Sequence, residues 1–146
     1  MEIIIFFAVA FVIPCIIGAS IIRAKSNKYR KSFEELLENE DFNPDKKRID
    51  QGGAVAVDKD TEKIYLFGHK SDAGKLYDFT GIKEWELREE SYQGLTKTAG
   101  VDSDAPMKWC IEFYTTDPEN PRHEVWFGGN EKKARDFFAY LKSLIA

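Results

Sequence analysis

Residues Ile3 to Ile22 read IIIFFAVAFVIPCIIGASII, twenty residues without a charge. As an α-helix such a run is about 30 Å long, the thickness of a bilayer hydrocarbon core. Thirteen of the twenty are Ile, Phe or Val, and their insertion energies favour entry into a bilayer by roughly 4–8 kcal/mol, from which Pro14, Gly18 and Ser20 subtract only part. A helix buried in a soluble protein would show a polar stripe over five turns, and this run has none. The reading is a transmembrane anchor over residues 1–22, with Pro14 expected to kink it. A cleaved signal peptide is disfavoured because Glu2 is the only charge ahead of the run, and a lipoprotein signal at Cys15 is opposed by Pro14 and by the apolar residues that follow. Gly18 has no GxxxG partner, so a homo-oligomer is left open, through the span or through sheet edges.

Arg23, Lys25, Lys28, Arg30 and Lys31 follow within nine residues, with no acid among them. The positive-inside rule then places the C-terminal part in the cytoplasm, as a single-pass protein of the inner (cytoplasmic) membrane. The same collar attracts anionic lipid headgroups at about 1 kcal/mol per charge. From Ser32 onward 16 basic residues face 24 acidic ones, a balance of -8 within a chain whose net charge is -4. Such a body is repelled by phosphate-rich surfaces, and no nucleic acid is expected as partner. A hydrophobic fraction of 43% with 14% aromatics suits a folded core rather than disorder.

Ser32-Phe33-Glu34-Glu35 has capping-box spacing, and Tyr29, Phe33, Leu36 and Leu37 recur at helical intervals before Asn43-Pro44. Residues 23–44 therefore read as a basic collar and a short amphipathic helix, unless that helix runs on from the span. Its apolar face, with Phe42, is expected to pack on the domain that follows.

Residues 45–146 switch to period two. Strands are expected at Lys47–Asp50, Ala54–Val57, Lys63–Phe67, Lys75–Phe79, Ile82–Arg88 with a bulge near Lys83-Glu84, Lys108–Thr115 and Glu124–Phe127. Residues 91–106 read as a long turn-rich loop that could hold a short strand at Leu95–Thr98. Asn130 caps a terminal helix whose stripe is Ala134, Phe137, Phe138, Leu141, Leu144 and Ile145. The fold class is α+β: an N-terminal transmembrane helix, then about six or seven strands in a mainly antiparallel bent sheet or partly open barrel, closed by a C-terminal amphipathic helix.

Three stretches carry a resemblance: Gly53-Ala54-Val55-Ala56-Val57-Asp58, Lys63-Ile64-Tyr65-Leu66-Phe67, and Tyr77 through Glu86 with its Ile82-Lys83-Glu84-Trp85-Glu86 ending. In these the chain resembles bacterial membrane-anchored proteins of unknown function with a pleckstrin-homology-like or GRAM-like domain. The resemblance implies a binding platform for proteins or lipids. The concentrated basic first hairpin that phosphoinositide binders use is missing, since Lys59 and Lys63 are diluted by Asp58, Asp60 and Glu62.

A catalytic set is not apparent. His69 and His123 are expected to be exposed at strand ends, without partners at metal-ligand spacing. Asp58 to Glu62 begins like a calcium loop but lacks its later Gly and Glu, so a solvated turn is the better reading. Cys110 is the one thiol outside the apolar run and would need a distant histidine as base. Gly128-Gly129-Asn130 could offer helix amides to an anion, yet Glu131 already supplies negative charge there. No cofactor and no metal are expected, and the chain is not read as an enzyme. The expected function is a membrane-tethered interaction module whose cytoplasmic domain binds a protein partner at the exposed sheet edge together with the 91–106 loop. The alternative is an anionic-lipid-binding membrane adaptor. Of Trp85, Trp109 and Trp126, Trp85 is the candidate partner contact, because Lys83, Glu84 and Glu86 around it suit a rim position.

Overall fold

From Arg23 to Asn39 the chain has no Gly, no Pro and no β-branched residue, so nothing interrupts a helix that began in the apolar run. In the computed structural model, which describes residues 2–91 and 107–144 and their side chains over 13–90 and 107–144, helix α1 accordingly runs unbroken from Glu2 to Asn39, with Pro14 inside it. The short helix expected to begin at a Ser32 capping box is therefore the last part of α1. Ser32 caps nothing and instead accepts a hydrogen bond from the Tyr65 hydroxyl at 2.9 Å.

After α1 come β1 (Lys46–Asp50), β2 (Gly53–Asp58), β3 (Lys63–Phe67), β4 (Lys75–Asp78), a single 3-10 turn at Phe79–Gly81, β5 (Ile82–Ser91), β6 (Met107–Thr115), β7 (Arg122–Gly128) and α2 (Glu131–Ser143). The fold is α+β, with antiparallel sheets ordered β1-β2-β3-β4 and β5-β6-β7. The expected bulge lies between Ile82 and Glu84, and a second irregularity falls between Trp109 and Cys110. The 91–106 loop and the strand at Leu95–Thr98 lie outside the described residues, apart from Ser91 at the end of β5. Among the described residues no helix is long and apolar enough to cross a membrane. Side chains of the apolar run are described only from Ile13 onward, a stretch of about 15 Å of helix. There Ile13, Ile16, Ile17, Ile21 and Ile22 are each about half exposed.

Sheet β1-β4 is covered on both faces, which explains why β2 reads as a continuous apolar run. Val55, Val57, Ile64, Leu66 and Tyr77 turn inward to a core shared with β5-β7 and α2. Ala54, Ala56, Tyr65 and Phe67 turn the other way, beneath Tyr29, Phe33 and Leu36 of α1, with Phe42 completing the cluster. The two alanines leave room for the helix, and aromatic rings lock it edge-on, Tyr29 against Phe67 at 4.6 Å between centroids and Phe33 tilted on Tyr65 at 5.6 Å. The domain is thus built onto α1 rather than hung from it.

The sheets join at a corner of main-chain bonds: Trp126 N donates to Gly52 O at 3.0 Å and His69 N to Glu124 O at 2.8 Å. That close approach requires glycine at position 52, and Gly53 is needed for its positive φ and its fit against Phe67 O of β3.

Candidate functional site

The opening of β1, Lys46-Lys47-Arg48, lies on the outermost strand of its sheet, paired on one side with β2. A groove of about 560 Å³ runs along this edge, lined by all five residues of β1, by Phe127 of β7, and by Lys133, Asp136 and Phe137 of α2. Its floor is aromatic and its rim cationic. The Arg48 guanidinium sits 4.2 Å over the Phe127 ring and pairs with Asp50, while its Nε is buried without a hydrogen-bond partner among the described residues. Lys46 Nζ lies 4.8 Å over Tyr140 and 5.6 Å over Phe137, and Lys47 Nζ lies 5.6 Å over Phe33 of α1. Asp136 is paired outside the groove with Lys132 at 2.6 Å. Among the described residues Lys46, Lys47 and Lys133 have no carboxylate within salt-bridge distance. An acidic domain therefore keeps one groove with uncompensated positive charge.

The sequence candidates lie elsewhere. Arg23, Lys25, Lys28, Arg30 and Lys31 are all exposed on α1. Lys28 is drawn to the domain, 5.5 Å over the Phe67 ring, and Lys31 pairs with Glu35 at 3.8 Å. Trp85 is half-buried on β5, opposite Phe113, and packs against the main core. It shares no element with the collar or the groove. Nothing in the sequence reading singled out Lys46 to Arg48, although three consecutive cations opening a strand in an acidic domain were visible.

His123 contradicts the expectation of exposure: it is 1% exposed. The signal was there, because His123, Val125 and Phe127 alternate on the inward face of β7. Its Nε2 lies 2.8 Å from the Tyr77 hydroxyl and its Nδ1 3.4 Å from Ser71 Oγ. Tyr77 in turn donates to Asp117 at 3.3 Å, and Lys75 holds the same carboxylate. With the imidazole neutral, every proton is placed when Ser71 donates to Nδ1, Nε2–H donates to Tyr77, and Tyr77 donates to Asp117. Burial, then the Asp117 carboxylate, pushes the Tyr77 phenol up to about 12. Asp117 is held well below the usual carboxylate range, first by Lys75. These contacts brace β4 and the turn before β7 against β7 itself. His69, by contrast, is exposed as expected.

Burial lowers the pKa of His123, with the Asp117 charge opposing and Lys75 assisting. The unfolded chain therefore takes up a proton below about pH 6.5 that the folded chain refuses. Stability from this group is present above that pH and is lost as pH falls. Urea unfolding midpoints are expected to drop between pH 7 and pH 5, and His123→Gln is expected to flatten that step. A flat profile in the unsubstituted protein would contradict the assignment.

Asp58 is also unlike its expected solvated turn, being 2% exposed. Burial raises its pKa, but the amides of Asn43, Thr61 and Asp60 bond its carboxylate and the net shift is downward. It ties the chain after α1 to the β2–β3 turn. Among the described residues no group of three or more His, Cys, Asp or Glu could hold a metal ion. Cys110 is fully buried, and burial, followed by the Glu124 charge, pushes its thiol up to about 12, the condition of an unreactive cysteine. Glu112 beside it is fully buried as well, held by Arg88 at 3.0 Å and by Arg122. Neither residue lines the groove.

No family model, curated protein or solved structure matches the chain.

Proposed function

We propose that this protein is a non-enzymatic interaction module mounted on a single membrane-spanning helix, with the domain cytoplasmic and binding a protein partner at the inner membrane. The observation that carries the reading is the unbroken course of α1, whose isoleucines from Ile13 to Ile22 stand exposed while Tyr29 and Phe33 in its later turns are buried against the domain. Exposed isoleucines along one helix have no reason to persist in water, whereas a bilayer covers them. The uncharged sequence from Ile3 and the five-cation collar support the same reading, and the collar gives its orientation. The pleckstrin-homology-like character of the domain is part of the proposal. It is supported by the succession of a four-stranded and a three-stranded antiparallel sheet followed by a terminal helix.

A partner is favoured over lipid as the domain's ligand because the domain is acidic from Ser32 onward and its uncompensated cations line a groove rather than a flat basic face. The test is fractionation of full-length protein from bacterial cells, with protease added to spheroplasts. The protein is expected in the membrane pellet after alkaline extraction, its C-terminal domain protected in intact spheroplasts and digested in lysed ones. Recovery in the alkaline supernatant would contradict the anchor, and digestion in intact spheroplasts would contradict the orientation.

A further inference from the structure

We propose that the free edge of β1 accepts an extended acidic segment of the partner protein as a fifth strand of the β1-β4 sheet. This rests on the reading of the domain as a partner-binding module and names the chemistry of what it binds. An edge strand presents a row of main-chain donors and acceptors that a second extended chain can satisfy. Here β1 pairs with β2 alone, and the space along its other side is the groove. Side chains of an added strand alternate between two faces. On the face of β1 that carries Lys46 and Arg48 they meet these two cations, Lys133 and the Phe127 and Phe137 rings, and on the other face they meet Lys47.

The charge decides the occupant. Lys46, Lys47 and Lys133 are without carboxylate partners among the described residues, in a domain with a balance of -8. Carboxylates on the incoming strand complement them, and the buried Nε of Arg48 is a further donor without a partner there. A second copy of the chain would bring its own Lys46, Lys47 and Arg48 to the same edge, like charge against like. Edge lysines also protect a sheet against unwanted pairing, so the experiment has to separate selective binding from mere protection.

Full-length, isotope-labelled protein in phosphatidylcholine nanodiscs is titrated with a capped peptide of alternating Glu and Val. Parallel titrations use the same peptide with Lys for Glu and the same peptide with an N-methylated backbone. The acidic peptide is expected to bind, with amide shifts confined to Lys46–Asp50 and the first turns of α2. The lysine and N-methylated forms are each expected to bind at least about tenfold more weakly. Lys46→Glu with Lys47→Glu is expected to weaken the acidic peptide by at least about tenfold, while Lys59→Glu with Lys63→Glu leaves it unchanged. Lys46→Gln with Lys47→Gln gives a milder pair should the charge reversal disturb folding, with an intermediate loss expected.

Equal binding of the N-methylated peptide, shifts centred elsewhere, or no binding of the acidic peptide would overturn the proposal. So would phosphatidylglycerol vesicles shifting β1 in place of the peptide, or self-association through this edge. If a protein partner crosslinks in cells to another surface, the groove assignment fails while the partner-binding reading stands. If no surface yields a protein partner, both fail.

Discussion

Gly53→Ala is expected to destabilise the domain by about 2–6 kcal/mol, combining backbone strain with overpacking. Gly53 has φ +125, where an L side chain is strained, and an added Cβ would lie 2.7 Å from the Phe67 carbonyl oxygen. That oxygen is main chain and cannot swing aside. The adjoining Gly52 is tighter still, since its Cβ would meet the Trp126 carbonyl oxygen at 2.2 Å in the corner that joins the two sheets. Gly129→Ala serves as the control, because its Cβ would meet only Met107 O at 3.6 Å, an ordinary contact. Urea denaturation of the full-length protein should give a large loss for position 53 and a change within about 1 kcal/mol for position 129. Equal midpoints for the two variants would mean that Gly53 is not held against β3 as described.

Phe33→Ala is expected to cost about 3–5 kcal/mol, the range for deleting a buried phenylalanine. Phe33 is 2% exposed on α1 and meets both Tyr65 and Phe42, so the loss falls on the contact between helix and sheet. Amide exchange should accelerate over Tyr29–Asn39 and β2–β3 first, with β6 and β7 following only as global stability falls. Leu37→Ala, on the exposed side of the same helix, should change stability by less than about 1 kcal/mol. If Phe33→Ala left the domain's unfolding unchanged, α1 would be a tether rather than part of the fold. The distinction matters for function. A helix packed onto the sheet fixes which face of the domain looks toward the end of α1 that carries the collar, whereas a flexible tether leaves every face accessible.

Much of this architecture is legible in the sequence where one physical signal dominates. Lys63–Phe67 matches β3 at both ends, because a charged turn and a glycine bound an apolar run. The Ile82–Glu84 irregularity is readable because Ile82, Trp85 and Leu87 break strict alternation yet all belong inside. Asn130 accepts the Lys133 amide at 3.0 Å, as its place before the apolar stripe implies.

The misses have a common cause, which is that local pattern does not reveal what another part of the chain will do to a side chain. Ser32 has the spacing of a cap, but uninterrupted helix formers on both sides and the Tyr65 hydroxyl opposite it prevail. His123 looks polar and terminal, but Ser71 and Tyr77, distant in sequence, bond its ring, and Asp117 in the turn before β7 completes the network. Asp58 looks like a solvated turn residue until the chain after α1 folds back to give it the Asn43 amide. The groove is the least legible feature of all. Its cations are contiguous in β1, but its floor and far wall come from β7 and α2, roughly eighty residues later.

The most direct test of a partner-binding module mounted on an anchor is photocrosslinking in intact cells. A photoreactive residue replaces Lys47 in the full-length chain and in a twin whose residues 1–31, except the core residue Tyr29, are exchanged for an unrelated helical anchor that runs on into α1. The same protein adduct should form in both and should be lost when Lys46→Glu and Lys133→Glu are added. Adducts only to lipid or to a second copy, or a protein adduct that vanishes when the anchor is exchanged, would place the activity in the apolar run and collar and contradict the reading.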